Sequence, residues 1–192
     1  MVRLSRQAYE DRLRGLRLLI TDVDGVLTDG SIVYAGADCE AKTFHVRDGS
    51  AVYIASVIDL HIAVVTARKS AAVERRFSEL PVLELRQGTF DKVEACLELQ
   101  AQLGLQASQV AFLGDDLVDL AVMRHVGVGI GVADAHPRIL EAADWVTSTA
   151  GGRGALREVV DDAVAARDLW SRVQQDYLRR QSEAPAADAD TP

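Results

Sequence analysis

Aromatic residues, lysine, cysteine and long apolar runs are all scarce in this chain. Aromatics make up 5% of its 192 residues, too few for a platform that stacks nucleic-acid bases. Lysine stands only at Lys42, Lys69 and Lys92; the other basic residues are arginines. Acidic residues outnumber basic ones, for a net charge of −8. That balance argues against a nucleic-acid-binding body or a polybasic membrane anchor. The partners it allows are neutral small molecules, or anions held at one local positive site. The two cysteines, Cys39 and Cys96, lie far apart and form no metal-binding or redox spacing. A reduced, cytoplasmic setting is expected rather than a disulfide scaffold. No apolar run approaches the ~20 residues of a membrane span. Residues 1–14 lack the apolar middle of a secretion signal.

What is present reads as a globular chain, with 48% hydrophobic and 26% charged residues. Residues 1–180 are expected to form one domain, and 181–192, small, acidic and proline-bearing, a disordered tail. A short polar helix over 3–14 precedes an apolar strand over 16–21. Two strands, 31–35 and 41–46, flank Gly36-Ala37-Asp38 and predict a projecting hairpin. Both of its faces carry apolar groups, Ile32 and Tyr34 on one and Val33 on the other. A lone hairpin is marginal in water, so a covering surface, a second subunit, is expected. Beyond it, helices over 49–59, 69–79, 91–103 and 116–125 alternate with strands over 61–65, 82–85, 110–113 and 127–132. A short helix from Pro137, a strand over 145–147 and a final helix over 153–179 close the series. Strand–helix alternation of this kind predicts an α/β fold with a central parallel sheet and helices on both faces.

Open parallel sheets bind ligands at the carboxyl ends of their strands, so the residues after each apolar run are the candidates. Asp22 and Asp24 follow the first strand, and Thr66, Ala67 and Arg68 follow the strand over 61–65. Asp115, Asp116 and Asp119 follow the strand over 110–113, and Lys92 opens the helix over 91–103. Asp22 and Asp24 share a face in an extended segment and repel unless a cation lies between them. A hard, oxygen-seeking ion such as Mg²⁺ suits them, with Asp115 or Asp116 completing the set. Single acids such as Asp29 and Asp38 read instead as turn residues. Thr66 reads as a helix N-cap or as a phosphate ligand. Lys92 opposes the helix dipole where it stands, which points to another task. His45, His61, His125 and His136 form no ligand set, and His136, before Pro137, reads as a cap.

The order DVDGVLTDG, VVTARK, Lys92 and GDDLVD resembles the four motifs of the haloacid dehalogenase superfamily. Tyr34 and the segments FHVRDG, RQG, VADAHP and AGGRGALRE extend the likeness to the 3-deoxy-D-manno-octulosonate 8-phosphate phosphatase family, over about residues 16–168. The resemblance implies a Rossmann-like, three-layer phosphatase without a cap domain. It implies Asp22 as nucleophile and Asp24 as general acid and then base. Mg²⁺ would be held by Asp22, the Asp24 backbone carbonyl and Asp115, with Asp116 and Asp119 in support. Thr66 and Lys92 would bind the transferring phosphoryl group.

For the substrate, a sugar-acid phosphate, the resemblance points to Ala67, Arg68 and the segment Arg47-Asp48-Gly49. Arg47 suits the substrate's carboxylate, and Arg153 is a further anion-binding candidate. The family's homotetramer, with active sites at subunit contacts joined by the hairpin, agrees with the two-faced apolar hairpin. Relatives usually carry a larger residue and then glycine where this chain has Ser50-Ala51, and glycine where it has Ala67. The first departure leaves a nine-carbon 9-phosphate sugar acid as an alternative substrate. A phospho-acceptor signalling domain is a rival of another class, although its order of Asp, Thr and Lys differs.

Overall fold

The computed structural model describes residues 3–36 and 39–183. Six strands form one parallel sheet: β1 (Leu18–Thr21), β4 (His61–Thr66), β5 (Glu84–Gln87), β6 (Val110–Gly114), β7 (Val128–Gly131) and β8 (Trp145–Val146). Their spatial order is β5-β4-β1-β6-β7-β8. The chain therefore builds outward from β1 on one side and returns to build outward on the other. The crevice between β1 and β6 is the point where strand order reverses, where such sheets place their ligands. The register sets Thr21 opposite Leu113 and Val64.

The strands are continuous apolar runs because both faces are covered. Leu18, Leu19 and Ile20 are wholly buried, as are Ala111, Phe112 and Leu113. Each large side chain contributes about 1.5–3 kcal/mol by leaving water. Helices α1 (Arg6–Arg14), α2 (Val46–Val57) and α7 (Ala155–Ala166) pack together as one layer. Helices α4 (Lys92–Leu103), α5 (Leu120–His125) and α6 (Pro137–Ala142) form the other. Helix α1 also covers the edge of the sheet, where Tyr9 stacks on Trp145 with ring centroids 4.3 Å apart.

The expected α/β class and six parallel strands are present, but several boundaries differ. Helix α2 begins at Val46, capped by the His45 imidazole accepting from the Arg47 N–H. Arg47 and Asp48 are thus helical, whereas the sequence pattern placed them before the helix. The hairpin pairs only β2 (Val33–Gly36) with β3 (Cys39–Ala41), so the strand expected over 41–46 is mostly outside the ladder. The last helix is two: α7, then α8 (Trp170–Glu183), with Asp168 at φ +56° between them. Gln181–Glu183 belong to α8, and the rest of the expected tail lies outside the described residues. Helix α3 (Ala71–Ser78) has Ser70 as its N-cap, which corrects the N-cap reading of Thr66. His136 does cap α6, accepting from the Arg138 N–H. Among the described residues, no helix is long and apolar enough to cross a membrane.

Candidate active site

Backbone pairing carries one residue past β1, where the Asp22 N–H donates to the Leu113 carbonyl at 3.0 Å. That bond seats Asp22 in the crevice. Its Oδ1 accepts from the Val23 N–H at 2.7 Å. The chain then folds into a tight loop in which the N–H groups of Val26, Leu27 and Thr28 converge on the Val23 carbonyl. Gly25 sits at φ +83°, and a Cβ there would meet Asp115 Oδ2 at 2.1 Å. Only glycine allows both the left-handed turn and the close approach of that carboxylate. From behind, a second loop presses on the first. A Cβ on Gly151 would lie 1.8 Å from the Gly25 carbonyl oxygen. Asp134 accepts from the Gly151 N–H, and Glu158 from the N–H groups of Ser148 and Thr149. The VADAHP and AGGRGALRE segments thus buttress the loop that carries Asp22.

Lys92 is the first residue of α4, after the N-cap Asp91. Its side chain is almost wholly buried, with Nζ 2.8 Å from Asp22 Oδ2 and 2.6 Å from Asp119 Oδ1. Burial alone would depress its pKa, but Asp22 and Asp119 outweigh that and hold it above the usual lysine value. Asp119 is fully buried, and its Oδ2 accepts from the N–H of Asp115 at 3.0 Å. It ties the ammonium to the loop after β6. Asp116 is exposed and accepts from the Leu117 N–H, starting the short 3₁₀ turn that places Asp119.

Asp22, Asp115 and Asp119 each offer an oxygen within 4.8 Å of the others. Burial pushes Asp22 up to about 6, with Lys92 opposing and Asp119 adding to the rise. Burial, then the charges of Asp22, Asp119 and Asp116, pushes Asp115 up to about 8. Three carboxylates face one ammonium, and Asp115 Oδ1 is buried with no hydrogen-bond partner. Buried acids in this state are stabilised by a cation. The all-oxygen donor set and the orphaned oxygen fit a hard divalent ion. Both oxygens of Asp119 and of Asp22 accept from donors, so Asp115 Oδ1 is the oxygen of the cluster left without a partner.

Thr66 ends β4 and is buried, its hydroxyl accepting from the Arg68 N–H at 3.4 Å. Asp24, half-buried, faces the hairpin. Lys42 Nζ bonds to Asp24 Oδ1, and Arg68 Nε lies 3.6 Å from Asp24 Oδ2. Glu40 of β3 pairs with both cations, at 3.2 Å from Lys42 and hydrogen-bonded to Arg68. Neither Lys42 nor Glu40 belongs to a motif that sequence reading assigns a task. The scarcity of lysine is the one signal pointing at Lys42.

The segment after the hairpin divides. Arg47 is exposed on the first turn of α2. Asp48 is buried, and its Oδ1 accepts from the Arg157 N–H at 2.9 Å, satisfying a free donor in the first turn of α7. Gly49 lies against the Arg76 guanidinium, which a Cβ would meet at 2.2 Å. Ser50 donates to the Val46 carbonyl and lines a groove with Ile54, Arg157 and Trp170, away from the acid cluster. Arg153 is exposed on the buttressing loop.

A parallel sheet with a buried lysine bridging acids from two strand ends defines a phosphoryl-transfer class of site. A profile of haloacid dehalogenase-like hydrolases matches residues 63–158. The 3-deoxy-D-manno-octulosonate 8-phosphate phosphatase of Yersinia pestis is 45% identical over 157 residues, 82% of this chain and 84% of that one. Its crystal structure superposes with a TM-score of 0.83 at 44% identity, covering 85% of this chain and 88% of that one. The Moraxella catarrhalis phosphatase, solved with magnesium, phosphate and the octulosonate (KDO), superposes at 0.84. It is 34% identical, with coverage of 88% of this chain and 97% of that one. The chain belongs to the haloacid dehalogenase-like hydrolases and, among them, to the 3-deoxy-D-manno-octulosonate 8-phosphate phosphatase family. That membership makes it a phosphoric monoester hydrolase and leaves the phospho-acceptor reading without support.

Proposed function

We propose that the chain hydrolyses 3-deoxy-D-manno-octulosonate 8-phosphate to the free sugar acid and phosphate, with residues 1–180 acting as one catalytic domain. The observation that carries the reading is the buried Lys92 bridging Asp22 and Asp119 beside the unpartnered Asp115 oxygen. Asp22, paired with Lys92, attacks phosphorus as the carboxylate. The ester P–O bond breaks, its electron pair goes to the sugar oxygen, and Asp24 hands that oxygen a proton. Water then attacks the phosphorus of the aspartyl-phosphate, Asp24 takes its proton, and Asp22 is released. Lys92 and the Thr66 hydroxyl bind the phosphoryl oxygens and offset their charge.

Asp22, the Asp24 backbone carbonyl and Asp115 would hold Mg²⁺, with Asp116 and Asp119 orienting them. When bound, the ion neutralises carboxylate and phosphate charge that would otherwise repel. Arg47, Arg68 and Ala67 face the sugar acid; Asp48 and Gly49 set the helix turn that presents Arg47. The exposed Ile32, Val33 and Tyr34 of the hairpin support a homotetramer in which the hairpin joins subunits near the active sites. A cytoplasmic location accords with the free cysteines.

The test is phosphate release from 3-deoxy-D-manno-octulosonate 8-phosphate with Mg²⁺. Many turnovers per chain are expected, stopped by a chelator and restored by added Mg²⁺. Asp22→Asn is expected to abolish release while leaving the thermal melt in place. Retention of most activity in that variant removes Asp22 as the nucleophile.

A further inference from the structure

Asp24 is the one acid of the DVDG segment outside the three-carboxylate cluster, and its surroundings explain why. The Lys42 side chain has no exposed surface, and the main use of that buried ammonium is its bond to Asp24 Oδ1. Glu40 Oε1, 3.2 Å away, is its second anionic neighbour. Burying an ammonium is costly unless it is paired, and Glu40 supplies a counter-charge that remains when Asp24 carries a proton. The other oxygen is treated differently. Arg68 Nε lies 3.6 Å from Asp24 Oδ2, beyond hydrogen-bond range, and the Arg68 guanidinium bonds instead to Glu40. One oxygen of Asp24 is anchored by a hydrogen bond, and the other faces the Arg68 guanidinium without one.

We propose that Lys42 is a positioning residue for Asp24, assigning distinct roles to its two oxygens. The inference rests on the general-acid reading of Asp24 given above. Lys42 donates to Oδ1 and keeps the carboxyl group turned away from Asp22, Asp115 and Asp119. Oδ2 is then the oxygen that carries the proton. As the ester P–O bond breaks and its electron pair moves to the sugar oxygen, the Oδ2–H bond breaks and the proton passes to that oxygen. Asp24 is left as a carboxylate, ready to take a proton from the attacking water. The hairpin, through Lys42 and Glu40, thereby belongs to the catalytic apparatus of its own chain.

A merely structural lysine and a positioning one differ in their dependence on the leaving group. An alkoxide leaving from a sugar phosphate needs the proton, whereas p-nitrophenolate scarcely does. The measurement is kcat/KM for 3-deoxy-D-manno-octulosonate 8-phosphate and for p-nitrophenyl phosphate, with Mg²⁺, in the native chain and in Lys42→Met. This ratio covers steps only up to leaving-group departure. The expected result is a fall of roughly ten- to a hundred-fold for the sugar phosphate, a part of the roughly 10²–10⁴-fold that a general acid contributes, and under about three-fold for the nitrophenyl ester. Equal falls for both esters, or no fall for the sugar phosphate, overturn the proposal. Where methionine unfolds the chain, Lys42→Gln keeps one N–H donor for Oδ1, so a smaller fall is expected, still confined to the sugar phosphate, and equal falls for both esters overturn the proposal there too. A native chain that hydrolyses neither ester overturns the phosphatase reading and this inference with it. An active native chain with equal falls overturns only the inference.

Discussion

Asp48 shows how one residue type serves two purposes a short distance apart in sequence. Asp22 is paired with a buried lysine, whereas Asp48 accepts a backbone N–H on one oxygen and has no hydrogen-bond partner on the other. Burial pushes the Asp48 carboxyl up to about 6, against about 3.9 in an unfolded chain. A raised carboxyl pKa means that the folded state resists ionisation. The cost is full above pH 6 and fades as the pH falls toward 4, and it amounts to roughly 2–3 kcal/mol. Asp48→Asn keeps an oxygen for the Arg157 N–H and removes the charge. It is expected to raise stability at pH 7 by about 1–2 kcal/mol, allowing for its unpaired amide N–H groups. Urea denaturation at pH 7 and at pH 4 checks this, since the gain must disappear at the lower pH. A gain of equal size at both would show that charge is not the cause.

At the scale of elements, the ends of helices govern where the layers meet. Arg167 lies in the break between α7 and α8. Its guanidinium donates to the carbonyls of Leu13 and Ile58, each at 3.1 Å, and to that of Leu16. Leu13 lies in the last turn of α1, and Ile58 caps α2. Helix C-termini leave carbonyls without intrahelical partners and carry partial negative charge, so one half-buried cation joins two helix ends to the entry of β1. Arg167→Met keeps the length and loses every donor. A loss of about 2–4 kcal/mol is expected, from stranded carbonyls, with the phosphatase rate of the folded fraction unchanged. Chemical denaturation and activity per folded chain measure the two separately. The expected single helix over 153–179 hid this junction, because nothing in its apolar spacing announces the turn at Asp168.

At the scale of the whole molecule, the hairpin is the feature that the single chain does not account for. Tyr34 is 72% exposed and Val33 53%, on a two-stranded element that is marginal by itself. In the proposed tetramer these side chains are buried between subunits. Tyr34→Glu is therefore expected to convert a larger assembly into smaller species by sedimentation or light scattering, with the α/β body still folded. An unchanged assembly would place the contact elsewhere.

Much of the fold was legible because its signals are local. Apolar runs of strand length, acids directly after them and glycines between them mark β1, β4 and β6 and the residues that follow. Asp22, Thr66, Lys92 and Asp115 are each found at the end of an element, where the switch-point rule looks for them. Even the dipole-opposed position of Lys92 was informative, and its burial between Asp22 and Asp119 supplies the reason. The boundaries of α2 and the division between α7 and α8 were not legible. They depend on caps and carbonyl partners that come from distant segments.

The sequence by itself determined the order of elements, the parallel sheet and which acids, hydroxyl and ammonium stand at its carboxyl edge, since periodicity and adjacency are properties of the chain. Only the tertiary structure decided that Asp119 anchors Lys92, that Asp48 serves the start of α7, and that Lys42 and Glu40 reach Asp24. Those pairings join residues far apart in the chain, and the strength of a charge interaction depends on the distance and burial that folding creates.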